Sequence, residues 1–147
     1  MNIREAKPGD ETAIHTLIKE LADYEREPDA VINTPENLYI DLFVDQICDA
    51  LVVENEKQEI VGFALYYQSY STWKGRCLYL EDFYLKPSAR RGGIGSKLFQ
   101  QVVDIAKARN VKRMDWQVLA WNEPAIQFYK KHQAILDDEW MNGRLFF

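Results

Sequence analysis

The sequence predicts a mixed α/β (α+β) fold: a mostly antiparallel sheet with helices on both faces and one parallel strand pair. Three observations carry this. The apolar segment Cys77–Leu85 is followed by a glycine-rich loop, a helical stretch and a second strand-like segment, Arg113–Leu119. A strand–helix–strand unit of this kind closes as a right-handed crossover, which makes its two strands parallel. Upstream, Ala50–Glu54 and Glu59–Tyr67 are β-type segments joined by the polar turn Asn55-Glu56-Lys57, the pattern of an antiparallel hairpin. Ile14, Leu17, Ile18 and Leu21 form an i, i+3, i+4, i+7 stripe, so an amphipathic helix covers one face.

Ile3-Arg4-Glu5-Ala6 is a short first strand, and Asp10 is placed to cap the helix that follows. Thr34-Pro35-Glu36 starts a second helix, with a capping residue, proline at the first helical position and an acid in the first turn. Gln68–Arg76 is expected to be a loop. After the glycine loop, Ile94, Leu98, Val102 and Ile105 line one helical face through about Arg109. Pro124–Lys131 is a short helix and Gly143–Phe147 a last strand. With 147 residues and no linker or repeat, residues 1–147 are expected to form a single domain.

Composition narrows the function classes. A net charge of −5 disfavours nucleic acid, which needs a basic surface to neutralise phosphates, and suits a cationic partner. No apolar run approaches the roughly 20 residues that span a bilayer, and Met1-Asn2-Ile3-Arg4-Glu5 has no signal-peptide core, so no membrane partner and a cytoplasmic location are expected. Cys48 and Cys77 are not at metal-ligand spacing and are expected to be small buried hydrophobes; no metal is expected. His15 and His132 have no partner at a suggestive spacing and receive no role.

The loop Arg90-Arg91-Gly92-Gly93-Ile94-Gly95-Ser96-Lys97 carries the chemistry. A glycine loop feeding a helix N-terminus offers backbone N–H groups and the positive end of the helix dipole to an anion. The order Gly95-Ser96-Lys97 does not match a Walker loop, and Leu98 stands where a dinucleotide fingerprint has its third glycine. The pattern R/Q-x-x-G-x-G/A is met by Arg90–Gly95. One helix and one strand later comes Ala120-Trp121-Asn122-Glu123-Pro124-Ala125-Ile126-Gln127-Phe128-Tyr129-Lys130-Lys131, an Asn with a Tyr seven residues on. In this order the two motifs resemble the acyl-CoA N-acyltransferases of the GNAT superfamily. Leu17–Glu25, Val61–Tyr67, Tyr70–Arg76, Tyr79–Tyr84 and Trp121–Pro124 are further similar to its spermidine/spermine and thialysine N-acetyltransferase branch, and the likeness runs from Ile3 to Phe146.

The resemblance implies the GNAT fold, acetyl-CoA as co-substrate, a small amine as acceptor, and a homodimer. It places Arg90, Arg91, Gly92, Gly93, Ile94, Gly95 and Ser96 at the pyrophosphate, with Lys97 adding charge. Phe83, Tyr84 and Leu85 lie along the pantetheine arm, which Asn122 and Ala125 also hold, and Lys131 reaches toward the nucleotide. A primary amine of pKa ~10 is about 99.9% ammonium at pH 7, so its proton must be taken. Glu81 is the candidate base, directly or through a water, and Tyr129 the candidate acid for the leaving thiolate. On an ideal strand Glu81 shares a face with Tyr79 and Phe83 while Asp82 points the other way; the superfamily's bulge hereabouts would bring both acids toward the substrate. Tyr24, Glu25, Trp73, Glu81, Asp82, Trp121 and Trp140 are the candidate acceptor-binding residues, because carboxylates balance ammonium groups and aromatic faces attract cations. His132-Gln133-Ala134 lacks the glycine commonly found after the Tyr helix, where a left-handed cap is expected, so either Gln133 is strained or the helix ends differently. The other functions open to the chain are a non-catalytic acyl-CoA-binding sensor and a protein or peptide amine acetyltransferase.

Overall fold

The computed structural model describes residues Met1–Phe147, which fall into two compact units, Met1–Trp116 and Gln117–Phe147. The first is built on a five-stranded sheet in the order β1 (Asn2–Glu5), β2 (Asp49–Glu54), β3 (Ile60–Ser71), β4 (Gly75–Leu85), β5 (Met114–Asp115). The first four strands are antiparallel neighbours, and β5 pairs parallel to β4, as the crossover argument requires.

Helix α1 (Glu11–Tyr24) and helix α2 (Pro35–Tyr39), which runs on into a π-helical turn at Ile40–Val44, cover one face. Ile14, Leu17, Leu38 and Leu42 pack there with Ala50, Val52, Phe63, Leu65 and Tyr84, so the stripe in the sequence is the core face of α1. Thr34 caps α2, its Oγ1 accepting from the Asn37 amide at 3.1 Å. Asp10 occupies the N-cap of α1 but spends its carboxylate elsewhere: it accepts from the Arg4 guanidinium at 2.7 Å and from the Lys7 amide at 2.8 Å. Helix α3 (Ile94–Ala108) buries Leu98, Phe99 and Val102, and the Phe99 ring meets Phe83 of β4 edge-on at 5.9 Å.

Four expectations change. Gln68–Arg76 is not a loop: β3 runs on to Ser71 and β4 starts at Gly75, leaving a three-residue hairpin tip. Ser71 Oγ accepts from the Trp73 and Lys74 amides, and Gly75 takes φ +88°, so local side-chain and glycine chemistry closes the turn. The strand expected at Arg113–Leu119 shrinks to Met114–Asp115, pairing with Leu78 and Tyr79. That pairing ends just before a bulge in β4, where the ladder bends away. Gly143–Phe147 forms no strand, and Leu145, Phe146 and Phe147 are exposed. An isolated strand has no stability without a partner edge, which residue type alone cannot supply. Lastly, Cys77 is buried as expected, but Cys48 is only half-buried, against the rim of the core.

The second unit contains helix α4 (Glu123–Lys131). Asn122 Oδ1 accepts from the Ala125 amide at 3.4 Å, and Pro124 sits in the first turn. At the other end Gln133 has φ +65°; its amide donates to Lys130 O and the Ala134 amide to Tyr129 O. This is a Schellman cap with glutamine in the position that glycine favours; of the two outcomes the sequence leaves open, the strained Gln133 is the one found.

Candidate acyl-transfer site

The site begins with a miscount between two strands. Tyr66 of β3 faces Leu80 of β4, and the next residue back along β3, Leu65, faces Asp82, so Glu81 has no partner and is bulged out. The extra residue resets the alternation. Tyr79 lies opposite Tyr67, and Asp82 lies opposite Leu65, whose side chain is in the core beneath α1 and α2. Tyr79 and Asp82 therefore share the α1 face although three residues apart, and the bulged Glu81 stands between them. The bulge that the resemblance called for is present, at Glu81 itself.

Glu25, at the C-terminal end of α1, completes an acidic group with Glu81 and Asp82. Burial and the Glu81 carboxylate push Glu25 upward. Asp82 is half-buried; burial, then the charges of Glu81 and Glu25, push it up to about 7. Tyr67 and Tyr79 stack across the strands at 5.4 Å, and burial with the adjacent Glu81 raises both phenols. No positive charge is among the groups that shift Glu25 or Asp82. The three carboxylates are not grouped so as to hold a metal ion. A partly buried acidic group edged by the Tyr67 and Tyr79 rings is suited to an organic cation.

Beyond Leu85 the strand leads through Pro87–Ala89 into the glycine loop. Arg91, Gly92 and Gly93 have φ +75°, +92° and +81°, a run of left-handed backbone that turns the chain into α3. At Gly92 and Gly93 a Cβ would meet nothing within 4 Å, so glycine is needed there for conformation, not for space. Gly93 is the N-cap and brings no side chain; the first intrahelical bond is Lys97 N–H to Gly93 O at 3.1 Å, so the amides of the first turn face the loop. This cradle fits a diphosphate, with amides and dipole supplying the charge balance. Arg90 is committed to the scaffold: its Nε donates to Leu85 O at 2.9 Å, and its guanidinium lies 5.9 Å from the Tyr24 ring centre and 5.6 Å from that of Tyr84. Tyr84 is buried and donates to Glu20, which also pairs with Lys86 at 3.1 Å. Sequence reasoning assigns no role to Glu20, Tyr67 and Tyr79, although they lie in the segments that resemble the branch; the place of the two tyrosines follows from the strand register and that of Glu20 from the packing of α1.

The other predicted residues are placed as follows. Trp73 is on the hairpin tip and 82% exposed; the six strand residues Gly75–Leu80 separate it from Glu81, about 20 Å of strand, so the chain does not bring the two together. In the second unit, Asn122 and Ala125 form the α4 cap, Tyr129 is buried, and Lys131 is exposed at the end of the helix. Trp121 is partly exposed and Trp140 strongly so.

The fold and loop define an acyltransferase, and the comparisons agree. Residues 14–134 match the acetyltransferase (GNAT) family model, and the chain belongs to that family. It is 43% identical over 136 residues to thialysine N-epsilon-acetyltransferase of Bos taurus, covering 87% of this chain and 80% of that protein. It is 37% identical over 140 residues to spermidine/spermine N(1)-acetyltransferase-like protein 1 of Homo sapiens, covering 90% of this chain and 20% of that protein. Among solved structures, a possible acetyltransferase from Clostridium difficile 630 superposes with a TM-score of 0.83 at 21% identity, covering 99% of this chain and 97% of that one. The chain is thus an N-acetyltransferase with the GNAT fold.

Proposed function

We propose that this enzyme moves the acetyl group of acetyl-CoA to a primary amine of a small cationic acceptor: a polyamine, a diamine or a lysine-like amino acid. The observation that carries the reading is the bulge at Glu81, which gathers Glu81, Asp82 and Glu25 without a compensating cation on the strand that leads into the glycine loop. An ammonium acceptor supplies the missing charge, whereas a neutral acceptor would leave three carboxylates in conflict.

Acetyl-CoA would be held by the backbone of Arg91, Gly92, Gly93, Ile94, Gly95 and Ser96 and by the strand residues Phe83, Tyr84 and Leu85; Arg90 acts by fixing the loop. Bound there, it supplies an activated acetyl carbonyl. Glu25, Glu81 and Asp82 hold the acceptor's ammonium groups, with the ring of Tyr24 against its methylene chain. The acid pair Glu81 and Asp82 takes the amine's proton to solvent, and the family resemblance gives the role of proton donor to Tyr129. The family match spans both compact units, which supports one catalytic domain over residues 1–147. We further read the enzyme as a cytoplasmic homodimer. The exposed apolar side chains Ile135, Trp140, Met141, Leu145, Phe146 and Phe147 support self-association, and Trp73, on the hairpin tip, would act at the Glu81 site only across such a dimer. No helix is long and apolar enough to cross a membrane.

The test is thiol release from acetyl-CoA at pH 7 to 9 with polyamines, diamines, thialysine, lysine and a basic peptide. Turnover of one small amine supports the reading. Acetyl-CoA binding with no amine-dependent release would point to a sensor, and turnover of the peptide alone to a protein acetyltransferase.

A further inference from the structure

The two carboxylates at the bulge are chemically unequal. Glu81 is exposed, while Asp82 is half-buried opposite Leu65, with Glu25 facing it from α1 and Glu81 beside it on β4. Tyr67 on β3 and Tyr79 on β4 flank Glu81. We propose that Asp82 is the group that takes the proton from the acceptor nitrogen, and that Glu81 tunes it and passes the proton on to water. This rests on the acetyltransferase reading above and divides the labour within it.

Burial and two like charges disfavour the ionised form of Asp82, so its carboxylate holds a proton at a pH where an ordinary aspartate cannot. A base is most effective when its conjugate acid lies near the working pH; about 7 meets that condition and about 4 does not. Exposure leaves Glu81 in contact with solvent and gives the proton a way out. The step balances: one N–H bond of the ammonium breaks, its electron pair stays on nitrogen, and an O–H bond forms on Asp82. The freed pair makes the C–N bond as the C–S pair leaves with sulfur. The second proton lost by nitrogen equals the one gained by the thiolate, and the proton on Asp82 is released to water once per turnover.

The experiment compares kcat/KM from pH 5.5 to 9.5 for the wild type, Asp82→Asn and Glu81→Gln, using whichever amine the wild type turns over. The acceptor's own ionisation is common to all three, so a limb that disappears belongs to the enzyme. Asp82→Asn is expected to lose the acid limb near pH 7 and on the order of 100-fold in rate at pH 7.5. Glu81→Gln is expected to keep a limb but displace it to lower pH, because a like charge has been removed. An Asp82→Asn enzyme that keeps both the limb and a rate within about twofold of wild type overturns the proposal. So does a Glu81→Gln enzyme that alone loses the limb. Wild-type protein silent toward every amine would instead remove the acetyltransferase reading, and this inference with it. Should Asp82→Asn fail to fold, carbon-13 NMR of labelled aspartate carboxyls in the wild type decides: a midpoint near 7 for Asp82 supports the assignment, and one near 4 overturns it.

Discussion

The Nε of Arg90 donates to the carbonyl of Leu85 at 2.9 Å, tying the first residue of the glycine loop to the last residue of the strand before it. The same guanidinium lies over Tyr24 and Tyr84. Arg90→Ala is expected to lower stability by about 1 kcal/mol and weaken acetyl-CoA binding several-fold, because the loop loses its anchor. Calorimetric titration and thermal unfolding check this. Unchanged affinity would mean that the loop holds its shape unaided.

Gly93 is left-handed at the helix N-cap with open space around it. Gly93→Ala meets no clash, so its cost is conformational, about 1–2 kcal/mol, shared between fold stability and loop shape. The expected result is a several-fold to tenfold weaker acetyl-CoA affinity with normal α3 helicity by circular dichroism.

Gln133 holds a left-handed conformation in the Schellman cap of α4. Gln133→Gly is expected to stabilise the protein by roughly 0.5–1 kcal/mol, read by urea unfolding. Destabilisation would show that the glutamine side chain contributes more than its backbone strain costs.

Arg4 pairs with Asp10 at 2.7 Å and Glu54 at 3.0 Å. Burial alone would raise Asp10, but the Arg4 hydrogen bond and the Lys7 amide outweigh it and hold the carboxyl below its usual range. A depressed pKa contributes stability above the unfolded value near 4, and that stability is lost as pH falls through the lower folded value. Arg4→Met should therefore cost about 2 kcal/mol at pH 7, from an Asp10 charge left buried and unpaired, and less at pH 3. Unfolding at the two pH values tests the sign.

Asp82 predicts the opposite slope. A raised carboxylate binds its proton more tightly in the folded state, so stability falls as pH rises from about 4 to about 7. Asp82→Asn should raise the unfolding temperature at pH 8 relative to wild type, by the equivalent of about 1 kcal/mol, and leave pH 4 nearly unchanged. An equal effect at both pH values would show that the charge carries no penalty in the fold.

Much of this protein is local and so legible in the linear chain. The stripe Ile14–Leu21 is the core face of α1, Thr34-Pro35 starts α2, and Arg90–Gly95 turns into α3. Each of these depends on neighbours a few residues away; at Gln133 the sequence marks the cap position but leaves open whether a glutamine takes the left-handed conformation. What only the tertiary structure decided depends on strand register and on distance through space. One unmatched residue in the β3–β4 ladder reverses the side on which Asp82 lies; Glu25 comes near Asp82 only because α1 packs on that face; and Asp82 is pushed to about 7 by burial, then by the adjacent Glu81 and the sequence-distant Glu25. Pairing likewise set the lengths of β3, β4 and β5, and left Gly143–Phe147 without a strand, since a strand exists only where another edge accepts its hydrogen bonds.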